Sequence, residues 1–335
     1  MNLNKFHIDN LHYFDKKLFD ETNKSITFFD WQDILNQRKI AFPNHYFIVV
    51  EDKKCLFIDT FLLSLFKIEY KDNCIHINVD ATLKETKLNL YILQIHQKEQ
   101  CLKINTYGEE KINIFHENLV SQKGHSFLEI NSDSNLNYYY IDRNTSEQLF
   151  HSEILLNSKY DFNFFLMHNR QQSKVKQDIQ ANISQASKLT LNILNYLELH
   201  QLKDDSIEVS HLGNNSISVI NYLSLNGGKS VSQINSIIEE NIEDCETHQK
   251  IKHIILNDKA QSFSKPNLMI KNPKVIASHG NSIGSFSKEY LFYLQQRGFN
   301  IEEAKKIINN SIIEHFCDNT EYSIQLKSYF SGQNI

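Results

Sequence analysis

The stretch Ile217-Ser218-Val219-Ile220-Asn221-Tyr222-Leu223-Ser224-Leu225, followed by Asn226-Gly227-Gly228, decides the fold class. Ile217, Val219, Asn221, Leu223 and Leu225 fall on one side of an extended chain, which is the period-two pattern of a strand with one buried face. Leu189, Leu191 and Ile193 repeat it. From about His151 to Asn272 such runs follow one another at short spacing, and most are not separated by a helical stretch long enough for a βαβ crossover. Sandwich hairpins draw on Gly and Pro for their turns. This chain has only nine Gly and three Pro, whereas the corners of a solenoid can be turned with Asn, Ser and Asp. The expected architecture is mainly β, with a parallel β-helix core, although no strict repeat period is visible.

Upstream, Tyr46-Phe47-Ile48-Val49-Val50, Cys55-Leu56-Phe57-Ile58 and Ile75-His76-Ile77-Asn78-Val79 read as short strands, with further runs at Leu88 to Ile95, Lys111 to Phe115 and Tyr138 to Ile141. Before them, Asp30 to Asn36 reads as a short amphipathic helix that Pro43 brings to an end. Downstream the period changes. Ser287 is placed to cap a helix over Lys288 to Arg297, and Gly298 to stop it in the left-handed conformation. Asn300 opens a second helix with Glu303 three residues on, and Ile301, Ala304, Ile308, Ile312 and Phe316 form its apolar stripe. The expected division is a short helical region at 1–45, a β-rich core at 46–286 that is clearest from 151, and a helical segment at 287–335. That last segment begins with a helical hairpin, and its tail from about Asp318 is weakly patterned and expected to be partly disordered.

With 335 residues and 41% hydrophobic content the chain can bury a large core. Thirty-five basic residues against 40 acidic ones give a net charge of -5, so no overall positive field invites nucleic acid. No run approaches the length of a membrane span, Phe57 to Phe66 being too short and carrying Asp59, Thr60 and Ser64. The first residues, Met1 to Asp9, lack the features of a secretory signal, and a cytoplasmic location is expected. Cys55, Cys74, Cys101, Cys245 and Cys317 contain no C-x-x-C pair and predict buried thiols rather than a disulfide framework or a local zinc site.

Several motifs resolve to structure rather than chemistry. Gly227-Gly228-Lys229-Ser230 resembles half a phosphate-binding loop, but the required earlier glycine is replaced by Leu223, leaving a turn between strands. Cys245, Glu246, His248 and His253 lack a spacing that aims ligands at one ion. There is no G-x-S-x-G elbow. Ser278-His279-Gly280 stands where strands give way to helices. Gly280 and Gly284 would allow a sharp change of direction there, and the pattern alone reads His279 first as a structural turn histidine and second as a neutral imidazole for a metal or a partner.

Taken in order, Ile255-Leu256-Asn257-Asp258-Lys259-Ala260, Lys265-Pro266-Asn267-Leu268-Met269-Ile270, Val275-Ile276-Ala277-Ser278-His279-Gly280 and Phe292-Tyr293-Leu294-Gln295-Gln296-Arg297-Gly298 resemble the C-terminal region of the SufB/SufD family, and SufD in particular. Asn267 and Met269 stand where the family pattern is usually acidic. The resemblance implies a right-handed parallel β-helix and a non-catalytic scaffold subunit of SUF iron-sulfur cluster assembly. It also implies pairing with a SufB-like paralogue and docking of a SufC-like ATPase on the C-terminal helices through Tyr290, Tyr293, Leu294, Ile301 and Ile308. His279 falls on the histidine associated with a nascent iron-sulfur cluster at the subunit boundary. A SufB role would need a thiolate on the β-helix, for which Cys245 is the one cysteine in the strand-rich half. A β-helix enzyme acting on carbohydrate would need a cluster of carboxylates along one face, which is not evident. A degenerate SufD-like protein without an assembly role is the remaining alternative.

Overall fold

The computed structural model describes residues 31–331 apart from 52–53, 60–64, 82–86, 97–98, 109, 121–124, 145–148, 170–173 and 319. The readings made for residues 1–30 lie outside the described residues. Among the described residues one helix precedes the strands, α1 (Trp31–Ala41), and as expected the chain leaves it just before Pro43. The first strands are β1 (Tyr46–Glu51), β2 (Lys54–Ile58), β3 (Phe66–Lys71), β4 (Cys74–Asp80), β5 (Leu88–His96), β6 (Glu99–Tyr107), β7 (Ile112–Val120), β8 (His125–Asp133) and β9 (Leu136–Asn144). They continue as β10 (Leu149–Ser158), β11 (Phe162–Asn169), β12 (Lys174–Ile183), β13 (Lys188–Leu197), β14 (Leu202–His211) and β15 (Ile217–Asn226). The last are β16 (Lys229–Ile238), β17 (Cys245–Ile255), β18 (Gln261–Ile270) and β19 (Val275–Ser285), before α2 (Lys288–Gln296), α3 (Ile301–Cys317) and α4 (Ser323–Ser331).

From β4 onward the chain alternates between two sheets, and each strand pairs in parallel with the strand two places on. The result is a parallel β-solenoid of about seven turns. Near its start, β2 runs antiparallel to β1 and β3 antiparallel to β4. Because neighbouring coils stay in register, like residues stack along the axis at the spacing of a sheet, about 4.8 Å. Asn78, Asn105, Asn131, Asn157 and Asn182 form such a ladder, each side-chain amide donating to the carbonyl oxygen of the one before at 2.7–2.8 Å. Their separations of 27, 26, 26 and 25 residues are the repeat that hydrophobic alternation concealed. A second ladder runs through Asn89, Asn113, Asn137 and Asn163.

Between the sheets lies a core of stacked aliphatic and aromatic side chains, among them Ile92, Ile114, Tyr138, Phe164, Leu191 and Ile220. The outer face of the ten-stranded sheet is also buried, because α1, α3 and α4 lie against it. Leu35, Phe42, Ile313, Cys317, Tyr322 and Leu326 meet Tyr91, Phe115, Tyr139 and Phe165 there. We call it the covered sheet. Among the described residues no helix lies on the outer face of the nine-stranded sheet, and we call it the bare sheet.

The low glycine content is explained at one corner of the coil. Ala186, Asn215 and Asp244 occupy the same place in successive turns and take φ of 56–57°. Asn and Asp tolerate the left-handed region that elsewhere needs glycine. The Gly227-Gly228 turn has the opposite cause: a Cβ on Gly228 would lie 2.2 Å from the carbonyl oxygen of Gln201. As expected, Gly298 ends α2 with φ of 92°, and Asn300 and Glu303 form a full capping box on α3.

Four expectations need correction. In β15 the lumen side is formed by Ser218, Ile220, Tyr222 and Ser224, not by Ile217 and Val219, because in-register stacking sets Ile220 on Leu191 and Tyr222 on Ile193. Leu223 and Leu225 are buried on the other side, toward the helices. Cys74 and Cys101 are bonded as a disulfide, since β4 and β6 place them side by side across adjacent coils, 27 residues apart in sequence. Within the tail beyond Asp318, Ser323–Ser331 form the ordered helix α4, anchored by buried Tyr322 and Leu326. Ser287 occupies the N-cap of α2, but its side chain makes no capping hydrogen bond.

Candidate functional site

The solenoid ends on two open edges. β18 is the last strand of the bare sheet and β19 the last of the covered sheet, and among the described residues nothing pairs beyond them. The pleat continues but the cover does not, so positions that face the lumen in earlier coils are half-exposed in β18. Phe263, Met269, Ile276 and Ile283 are exposed across these two strands. An uncapped edge with apolar side chains is a template for another chain.

Ser278-His279-Gly280 lies inside β19, not in a turn, which corrects the expectation for its glycines. Neither Gly280 nor Gly284 has positive φ, and a Cβ at either would meet nothing within 4 Å. What they leave is bare backbone on an open edge, where another backbone can approach closely. In register His279 stands opposite Gln249, whose side chain is buried in the preceding coil, so this exposed histidine sits at the mouth of the lumen. Ser278 faces the other way and its hydroxyl is 2.8 Å from His248 Nδ1. Among the described residues the grouping of three potential metal ligands is His125, His151 and Glu153, which does not include His279.

A row of buried polar side chains, unforeseen from the sequence, lines one corner of the lumen. Lys203 Nζ lies 2.6 Å from His168 Nε2 and 3.1 Å from Asp205 Oδ1, while Asp142 Oδ2 lies 3.1 Å from His168 Nδ1. Lys203 also donates to Gln177 Oε1 at 2.5 Å, an oxygen that lies against the same ring nitrogen of His168. Asp205 Oδ2 also accepts from Asn195 and from Tyr222, each at 2.7 Å. Burial first, and then the charge of Lys203, lower the pKa of His168 to about 3. The signal was present as polar residues at lumen-facing positions of otherwise apolar strands, but it could be read only once the phase of each strand was known.

Comparison with known proteins adds the family. Residues 106–312, more than half of the chain, match the model for the SUF system FeS cluster assembly SufBD core domain. The chain belongs to the SufBD family. Among its curated relatives are two iron-sulfur cluster assembly SufBD family proteins named ycf24. The protein from Galdieria sulphuraria is 26% identical over 35% of this chain and 52% of its own length, and that from Porphyra purpurea is 24% identical over 35% and 24%. Protein ABCI7, chloroplastic, from Arabidopsis thaliana is 29% identical over 31% of this chain and 23% of its own. The chain thus spans from about a quarter to about half of these relatives' lengths.

In this SufBD chain the helix after the open edge is nearly naked: α2 buries none of its residues. Tyr290 and Tyr293 are exposed, Tyr293 with the Arg297 guanidinium 4.9 Å from its ring centre, and Leu294 is half-buried. On α3 Ile301 is exposed and Ile308 half-buried, whereas Ala304, Ile313 and Cys317 are buried. Cys245 is buried, its sulfur 3.3 Å from the Ser216 hydroxyl. Burial pushes the thiols of Cys55 and Cys317 up to about 12, which leaves them weak nucleophiles. No described helix is long and apolar enough to cross a membrane.

Proposed function

We propose that this chain is a SufD-like, non-catalytic scaffold subunit of iron-sulfur cluster assembly, acting in the cytoplasm. It pairs through β18 and β19 with a SufB-like paralogue and docks a SufC-like ATPase on α2 and α3, through Tyr290, Tyr293, Leu294, Ile301 and Ile308. The observation that carries this reading is the open end. Two adjacent edge strands present unpaired backbone groups with exposed Phe263, Ile276 and Ile283, and adding a partner strand would satisfy both needs. His279, at the mouth of the lumen, then lies at the subunit boundary, where its imidazole completes a coordination sphere whose other ligands come from the partner. The cluster is cargo assembled at that boundary.

Co-expression of the tagged chain with the SufB-like and SufC-like proteins of its host tests the proposal, with complex formation read by size and mass. Ile276→Lys should release the paralogue and keep the ATPase. Tyr290→Ser with Tyr293→Ser should do the reverse. His279→Ala should leave the complex whole and lower cluster assembly. A chain that stays monomeric beside both partners removes this function.

A further inference from the structure

On the outer face of the bare sheet, among the first coils, we propose a binding site for a divalent first-row transition-metal ion, of the Zn²⁺ or Fe²⁺ class, formed by His125, His151 and Glu153. These side chains play no part in the open end or in α2. The parallel register sets His125 of β8 directly beside His151 of β10, and Glu153 follows two residues later on the same face of β10. Their ring centres are 5.1 Å apart, and one ligand atom from each of the three residues lies within 4.8 Å of the others. His125 Nε2 is 3.1 Å and His151 Nε2 3.7 Å from Glu153 Oε1. Ligand atoms about 2.0–2.2 Å from one ion in tetrahedral array are separated by roughly 3.3–3.6 Å, so changes of at most about 1.5 Å in the separations would gather them.

A second observation points to a missing ligand. The Nε2 atom of His125 is shielded from solvent and makes no hydrogen bond, since its approach to Glu153 has the distance of one but not the alignment. A buried ring nitrogen without a partner is costly, and an ion at the centre of the three groups would satisfy it. Two imidazoles and one carboxylate on a rigid sheet form a set suited to Zn²⁺ and Fe²⁺, with positions left open for water or a further ligand. The neighbours are charged as well. Asp178 Oδ2 lies 2.7 Å from His151 Nε2 and 3.0 Å from Lys176 Nζ. Asp178 therefore either yields His151 to the ion or joins it as a second carboxylate, with Lys176 balancing its charge.

The test is a titration of the untagged, chelator-treated full chain with Co²⁺ at neutral pH, reading visible d–d absorption, followed by displacement with Zn²⁺. The expected result is saturable binding from which His151→Ala and Glu153→Gln each remove one equivalent, with affinity lowered more than about 100-fold. His248→Ala, which alters a half-exposed histidine on the covered sheet, should change nothing. Circular dichroism should show both ligand variants folded, because the replaced side chains are half-exposed. Absence of saturable binding, or binding that survives both substitutions, overturns the proposal and leaves an ordinary histidine-carboxylate ion pair.

Discussion

The two sheets share one lumen, one coil pitch and one register, yet they are held in different ways. In the bare sheet, β8 and β14 bury every second side chain and offer the rest to solvent. In the covered sheet, Phe162, Phe164 and Leu166 of β11 fill the lumen while Phe165 and Met167 of the same strand are buried beneath the helices. A strand buried on both faces loses the alternation that marks it as a strand. The cover is fastened by charge as well as by apolar contact. Glu117, fully buried on the outer side of β7, accepts from Arg38 of α1 at 2.7 and 2.9 Å, from Arg143 of β9 at 2.9 Å, and from the Tyr91 hydroxyl. Burial alone would raise its pKa, but the hydrogen bonds from Arg38 and the charges of Arg38 and Arg143, with Tyr91, outweigh it and hold the carboxyl at about 2.

Breaking that clasp should cost most. Glu117→Ala strands the buried Arg38 guanidinium, and a loss of about 3–5 kcal/mol is expected in urea unfolding. A loss below about 1 kcal/mol would mean that the cover rests on apolar contact alone. Acid separates Glu117 from the buried histidines. Burial lowers His45, His211 and His253 to about 4 and His168 to about 3 from the ordinary 6.5. The unfolded chain therefore takes up these protons first, and stability should fall as pH drops from about 6.5 toward 4. Glu117 has a folded value below its unfolded 4.5, so its contribution is present above pH 4.5 and lost toward pH 2. The Glu117→Ala protein should keep the first decline and show a smaller second one, to which Glu129, Asp178 and Glu321 still contribute, as a series of urea titrations between pH 7 and 2 would show.

The asparagine ladders give the most direct contrast, since they set the same chemistry in both sheets. Asn137→Ala, buried in the covered sheet, should cost about 2 kcal/mol, and Asn131→Ala, half-exposed on the bare sheet, about 1 kcal/mol. Equal losses would show that the helices add nothing to a ladder beneath them. The smallest effect is expected at the corner. Ala186 carries a strained positive φ where the next coils have Asn215 and Asp244, so Ala186→Asn should raise the melting temperature, a gain of up to about 1 kcal/mol.

These contrasts also explain what could be read in the chain. Strands with one wet face, and punctuation such as Gly227-Gly228, Gly298 and the Asn300-Glu303 box, are local features and were legible. The phase of β15 was not, because Leu223 and Leu225 are as buried as Ile220 and Tyr222 and only stacking on β13 tells the sides apart. The Cys74–Cys101 bond and the His125–His151 pair join residues one coil apart, a separation no spacing motif covers. At the open end, His279 and the exposed α2 were visible through the motif series. That the Ser-His-Gly stretch is an edge strand and not a turn depended on the neighbouring coil.

α4 has one further effect. From the far end of the sequence it returns to the first coils: Tyr322 lies 2.8 Å from His45 Nε2 across 277 residues, and Glu321 pairs with Lys87 and Lys111. A bare stack of coils touches only its nearest neighbours and can fray from either tip, each coil melting nearly on its own. Here the final helix is buckled onto the opening coils, so the stack cannot fray at its start without releasing its own tail. An array built by repetition thereby gains the all-or-none character of a closed ring.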